Sequence, residues 1–182
     1  AGQIHADDDL ACEMYEALRD RSAAAGFEQY EVSNFARRAD ATEPAEVPAQ
    51  ACRHNINYWR GGAYHGLGPS AAGYVRQVRT RNWANTALYC EQLEHGRRAI
   101  ESAEELPPLR RAGEIAAFGL RMNAGWPLAE FKRTTGFDLP QEWPGEIAEL
   151  VQRGWARLEP DRFRLTRAGL RFADAAAVLF LK

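Results

Sequence analysis

The chain has 182 residues, 46% of them hydrophobic, and a formal charge of −2, which suits one large or two small globular domains with a real core. That balance excludes a global pull toward nucleic acid or anionic membrane, so only a local patch could supply one. The longest apolar run, AAAVLFL, is too short for a membrane span, and no charged segment with an apolar core opens the chain; no signal peptide is predicted, and the cytoplasm is the expected compartment.

In chain order, Asp7, Asp8 and Asp9 put carboxylates where a helix N-terminus favours negative charge. Leu10, Met14 and Leu18 follow at four-residue spacing, so a helix is predicted that stops at Gly26. The segment FEQYEVSNFA alternates, with Tyr30 and Val32 on one face and Gln29, Glu31 and Ser33 on the other, the period of a single strand. A solvated edge strand gives that pattern, and so does a strand of a helix-wrapped barrel that turns polar groups inward. Residues 37–50 have no periodicity and hold two prolines, so a mobile loop is expected. In RNWANTALYCEQLEHG a helix is predicted with Trp83, Ala87, Cys90 and Leu93 on one face, Asn82 as N-cap and Gly96 as stop, which makes Cys90 a core residue. The three cysteines, Cys12, Cys52 and Cys90, are odd in number and widely spaced, as expected of reduced thiols rather than a disulfide framework.

Composition shifts around ESAEELPPLRRAG, and a domain boundary is placed near residue 100, giving units 1–100 and 101–182. Pro107 and Pro108 precede a helix with Ile115, Phe118 and Leu120. WPLAEFKRTTG and EIAELVQRG are predicted as further helices, the second burying Ile147, Leu150 and Val151 and ending at Gly154. WARLE and RFRLT flank a turn at Pro160 and Asp161 as a hairpin, after which Thr166 caps a final helix through Leu170, Ala173 and Ala177. This order resembles a winged-helix module. Arg157, Arg162, Arg164, Arg167 and Arg171 would supply phosphate contacts. Glu142, Glu146, Glu149, Glu159, Asp161 and Asp174 nearly balance them, so a solvated arginine face is the preferred reading over nucleic-acid binding.

The stretch ACRHNINYWRGGAYHGLGPSAAGYV, residues 51–75, is neither helix-periodic nor cleanly alternating. Gly66 and Gly68 lack the strand-then-helix grammar of a dinucleotide fingerprint. With Ser70, Ala71, Ala72 and Gly73 they allow close approach, either of a flat ligand or of a neighbouring strand. His54 can bind a transition metal, handle a proton or satisfy a buried polar contact. Tyr58 and Trp59 are either core aromatics or a platform for a planar ligand.

Taken in order, YEVSNFA, RHNINYW, GLGPSAAGYV, GEIAAFGLR with a following Gly125, and RLTRAGLRFAD resemble the C-terminal half of the radical SAM heme chaperones, a group similar to oxygen-independent coproporphyrinogen III oxidase. The resemblance runs from about Asp9 to the end of the chain. It implies an α+β fold: the last αβ elements of a radical SAM partial (β/α) barrel in residues 1–100, then a helical, winged-helix-like domain in 101–182. The His-Asn-x-x-Tyr-Trp motif distinguishes the heme-chaperone branch and stands here as His54, Asn55, Tyr58 and Trp59. It implies that His54 contacts heme iron, as an imidazole can, with Tyr58 and Trp59 supporting the macrocycle or the fold. YEVSNFA would be a late barrel strand whose end, Phe35 and Ala36, lies near S-adenosylmethionine, and the Gly66–Gly68 segment would be the next extended piece beside the cavity.

The sequence departs from that family in its cluster ligands. It has no CxxxCxxC-type set and lacks the glycine-rich segment that holds the methionine end of the cofactor. The resemblance therefore implies a fragment that begins inside a late barrel helix and is inactive by itself as a radical enzyme. S-adenosylmethionine and a [4Fe-4S] cluster are expected only in a parent protein that also contains the missing N-terminal half and delivers heme to acceptor proteins. A coproporphyrinogen III oxidase parent is the second reading, and a winged-helix interaction module for nucleic acid or protein is the third. The loop from Arg37 to Arg53 is longer than the family's usual connection.

Overall fold

The computed structural model describes residues 7–38 and 46–181. Asp7 starts the first helix, α1 (Asp8–Ala24), as its cap: the side chain accepts from the Leu10 N–H at 2.9 Å, with Asp8 and Asp9 in the first turn. Gly26, at φ +79°, follows its end as predicted. Leu10, Met14 and Leu18 are exposed.

The single strand predicted over FEQYEVSNFA is instead an antiparallel hairpin of β1 (Phe27–Glu31) and β2 (Asn34–Arg37). Glu31 makes the turn: its carboxylate accepts from the Ser33 N–H at 2.7 Å and from the Asn34 amide at 2.5 Å. The expected polar face is not solvated as a unit, because Gln29 and Glu31 are buried and only Ser33 is exposed. Tyr30, Ala36 and Ala51 form a small core of their own, with Val47 and Ile56 packed against it. Residues 39–45 of the predicted mobile loop lie outside the described residues.

Within the aperiodic stretch, Arg53–Trp59 forms helix α2, two turns long and too short to show a pattern. Strands β3 (Ala72–Val75), β4 (Val78–Asn82) and β5 (Ile100–Glu105) make an antiparallel sheet in the order β3-β4-β5. Residue 100, where the sequence boundary falls, is the first residue of β5. The turn between β3 and β4 is Arg76–Gln77, both at positive φ (+52° and +70°), the mirror-image geometry that matches strand twist but favours glycine or asparagine. Gln77→Gly is therefore expected to stabilise the chain by about 1 kcal/mol. Thermal unfolding should register this as a rise of about 2–4 °C, and no rise would show that the turn is not strained.

The helix α3 (Thr86–Glu94) starts later than predicted. Asn85, not Asn82, caps it, accepting from the Leu88 N–H at 3.1 Å. Asn82 ends β4, where its register shift and buried amide give it a different task. Cys90 is exposed rather than in a core, since α3 buries none of its residues.

Helix α4 (Pro108–Gly119) begins at the predicted proline pair and buries Ala112, Ile115 and Ala116. After it come β6 (Trp126–Pro127), α5 (Leu128–Thr135), α6 (Leu139–Glu142), α7 (Pro144–Gln152), β7 (Ala156–Leu158), β8 (Arg162–Leu165), α8 (Arg167–Leu170) and α9 (Ala173–Val178). The predicted β7–β8 hairpin is present, and β6 joins its other edge in the order β6-β8-β7. Thr166 caps as expected, its hydroxyl accepting from the Gly169 N–H at 3.0 Å. The final helix is broken, because Phe172 leaves helical geometry (φ −114°, ψ 24°) between α8 and α9. Ile147 and Leu150 are buried as predicted, whereas Val151 is exposed. The main core is built around Leu120, Trp126, Phe131, Phe163 and Phe180. Of the five arginines that suggested phosphate contacts, Arg162 pairs with Glu46, Arg164 with Glu159, and Arg167 with Glu16 and Asp20.

Candidate functional site

A cavity of about 280 Å³ opens between α2, the β3-β4-β5 sheet and α4. Its walls are aromatic: Tyr58 and Trp59 from α2, Tyr64 and Tyr74 from an isolated antiparallel bridge, and Phe118 from α4. Tyr58 and Tyr64 meet edge-on at 4.3 Å, while Tyr64–Tyr74 and Trp59–Phe118 are tilted pairs at 6.3 Å. Such walls present flat π faces, and the volume sits at the small end of ligand pockets.

Two anchors hold α2 over this cavity. Ile56 packs on the small Tyr30–Ala36–Ala51 core, which ties the helix to the β1–β2 hairpin. Arg60, the residue after the helix, donates to the Gly125 carbonyl at 2.7 Å and lies 4.8 Å from the Trp126 ring. Burial pulls the Arg60 pKa below the usual guanidinium value, with Glu130 and Glu46 acting against the shift. Behind the cavity wall, the Arg121 guanidinium lies 4.9 Å from the Trp59 ring and its Nε is 3.8 Å from the fully buried Glu31 carboxylate. The hairpin turn and the tryptophan are thus linked through one arginine.

The charged groups of the cavity are distributed unevenly. Arg79 of β4 pairs directly with Glu114 of α4 and sits 3.5 Å from Glu104 of β5. Burial lowers the Arg79 pKa, but the Glu114 hydrogen bond and the two carboxylates outweigh it and raise the value overall. Burial raises the Tyr64 pKa, with Arg79 acting in the opposite direction. Arg111, on the first turn of α4, lines the same cavity and takes part in no ion pair among the described residues.

The sequence-predicted site residues are only partly brought together. His54 is exposed on the first turn of α2, with its ring 4.7 Å from Tyr58 in an edge contact, just outside the cavity that Tyr58 and Trp59 line. Phe35 lines a separate, polar groove between α1 and the hairpin, together with Arg19, Arg38 and Asn123. Ala36 is buried in the small core beneath α2. Gly66 and Gly68 present their carbonyls to the Asn82 amide at 3.1 and 3.0 Å. A Cβ at Gly66 would lie 2.4 Å from the Ala72 carbonyl oxygen, so close backbone approach accounts for that glycine.

Sequence reasoning missed Tyr64, Tyr74, Arg79, Arg111 and Glu114. Tyr64 and Tyr74 meet only through a bridge that no local pattern announces. Arg111, Ile115 and Phe118, by contrast, fall at helical i, i+4 and i+7 spacing, a face that could have been drawn from the sequence. Among the described residues no group of three or more His, Cys, Asp and Glu side chains converges as a metal site, and no helix is long and apolar enough to cross a membrane.

Comparison with known proteins defines the class first. Residues 106–172 match the HemN C-terminal domain. The fold resembles that of coproporphyrinogen III oxidase (HemN) from Escherichia coli, a radical SAM enzyme, with a TM-score of 0.69 at 14% identity over 93% of this chain and 40% of that one. In sequence, the chain is 34% identical over 170 residues to the heme chaperone HemW of Mycobacterium tuberculosis, covering 93% of this chain and 39% of the relative. It is 28% identical to the Escherichia coli heme chaperone HemW, over 96% of this chain and 43% of that protein. It is also 31% identical to the bovine mitochondrial radical S-adenosyl methionine domain-containing protein 1, over 96% and 40% respectively. Over more than nine tenths of its length the chain is thus similar to HemW/HemN-like proteins, and it spans about two fifths of the length of these relatives.

Proposed function

We propose that this chain carries the heme-contacting part of a radical SAM heme chaperone. The observation that carries the reading is the exposed His54 ring set edge-on against Tyr58, which together with Trp59 lines the aromatic cavity. An exposed imidazole beside a flat apolar pocket offers both things a metallated macrocycle needs: a nitrogen ligand for iron and faces for the ring. Heme is the cargo in this reading, and its onward transfer to acceptor proteins in the cytoplasm requires a site that is open, as this one is. An iron buried on both faces would be released slowly.

In the same reading α1 and β1 are the last αβ step of a partial barrel, and the β7–β8 hairpin is the wing of a winged-helix-like domain. S-adenosylmethionine and a [4Fe-4S] cluster belong to the parent protein. The cysteines of this chain lie apart, on α1, before α2 and on α3, and do not fit a cluster. Phe35 would border the cofactor from the polar groove, whereas Gly66 and Gly68 would shape the loop beside the cavity.

The test is a heme titration of the 182-residue chain by visible absorption, with His54→Ala alongside. Saturable binding with a shifted Soret band is expected, weakened by about tenfold or more and spectrally altered in the variant. Absence of saturable binding, or a spectrum indifferent to His54, would overturn the assignment.

A further inference from the structure

Resting on the heme reading, we propose that the aromatic cavity receives one edge of the tetrapyrrole, and that Arg111 pairs with a carboxylate on that edge. A cavity of about 280 Å³ is at the lower bound of sites that bury a small ligand whole, so a macrocycle enters it edge-first with its centre outside. Outside is where His54 stands, beside Tyr58 at the lip.

The charges of the cavity decide which edge enters. Glu104 and Glu114 are the carboxylates of the lining, and both are engaged by Arg79. Arg79 is therefore neutralised in place and has little attraction left for a third carboxylate. Arg111 carries the remaining cation of the lining, with no ion pair among the described residues, and is half-buried against aromatic walls. Its guanidinium presents a fork of donors that matches a carboxylate, in surroundings where water competes poorly. The chemical class recognised is a planar aromatic ring bearing a carboxylate, and this recognition is independent of the metal at the ring's centre.

Three probes separate the two claims: heme, the metal-free protoporphyrin dicarboxylic acid, and the dimethyl ester of heme. Arg111→Gln is expected to weaken binding of both acids by about tenfold, as for loss of a charge-assisted hydrogen bond, while leaving the ester's affinity and the heme Soret position unchanged. Wild type is expected to prefer heme to its ester by a similar factor. Equal binding of acid and ester by wild type, or an equal loss for all three probes in Arg111→Gln, would overturn the proposal. Failure of every probe to bind would overturn it together with the heme reading. Arg111-dependent binding of the metal-free acid with no His54 dependence for heme would sink the iron-ligation claim and leave this one standing. Unchanged thermal unfolding of Arg111→Gln is the control for folding.

Discussion

Gly125→Ala is expected to lower the melting temperature of the chain by about 6–12 °C, the equivalent of roughly 3 kcal/mol at this size. Two independent strains add at that position. Its φ of +61° is a left-handed conformation that a Cβ disfavours by about 1 kcal/mol or more. The Cβ itself would lie 2.3 Å from the Phe163 carbonyl oxygen and 2.4 Å from the Arg164 Cβ, both fixed parts of β8 that cannot swing aside. To relieve the contact, β8 must move away from the segment leading into β6, and those two strands are paired with each other. Gly136 provides the control: its φ is +84°, but nothing lies within 4 Å of a Cβ there. Gly136→Ala should therefore show the conformational cost alone, a fall of about 2–4 °C by thermal circular dichroism. If the two variants fall equally, the close approach of β8 to Gly125 does not hold in solution.

What could be read from the sequence was what its neighbours in the chain enforce. Asp7, Thr166, Gly26 and the proline pair at 107–108 act through backbone groups within four residues, so each predicted terminus is where the local chemistry puts it. The hairpin around Pro160 is local in the same way. Glu31 shows where this stops. By alternation it belongs to a strand, yet its carboxylate reaches forward to the Ser33 N–H and Asn34 and folds the strand back on itself. Asn82 suits a cap by its residue type, but β5 recruits it to a sheet through pairing eighteen residues away, and the cap falls to Asn85. The motif around His54 was legible through its resemblance to a family, and Tyr58 and Trp59 do line a cavity. The cavity itself was not legible, because its walls come from α2, the β3-β4-β5 sheet and α4, and only their packing brings Tyr74 and Phe118 to the same space.

Arg60 is the side chain through which that packing reaches α2, and Arg60→Met is expected to cost about 2–3 kcal/mol in denaturant unfolding. The aliphatic part of Met replaces the stem but not the head. It leaves the Gly125 carbonyl without its 2.7 Å donor, removes the guanidinium from the Trp126 face and frees Glu130 of its counter-charge. Glu46 keeps Arg162 at 2.7 Å and so contributes little to the loss. Arg60→Lys retains the charge but cannot both donate to the carbonyl and stack as a plane, so an intermediate loss of about 1 kcal/mol is expected. The functional consequence separates Arg60 from Arg111. Because Arg60 ties the end of α2 to Gly125 and Trp126, the proposed heme reading predicts that Arg60→Met loses stability and heme affinity together, including affinity for the dimethyl ester. A variant that loses less than about 0.5 kcal/mol, or that binds heme as wild type does, would mean that α2 is held by its Ile56 contacts with the small core and not by this arginine.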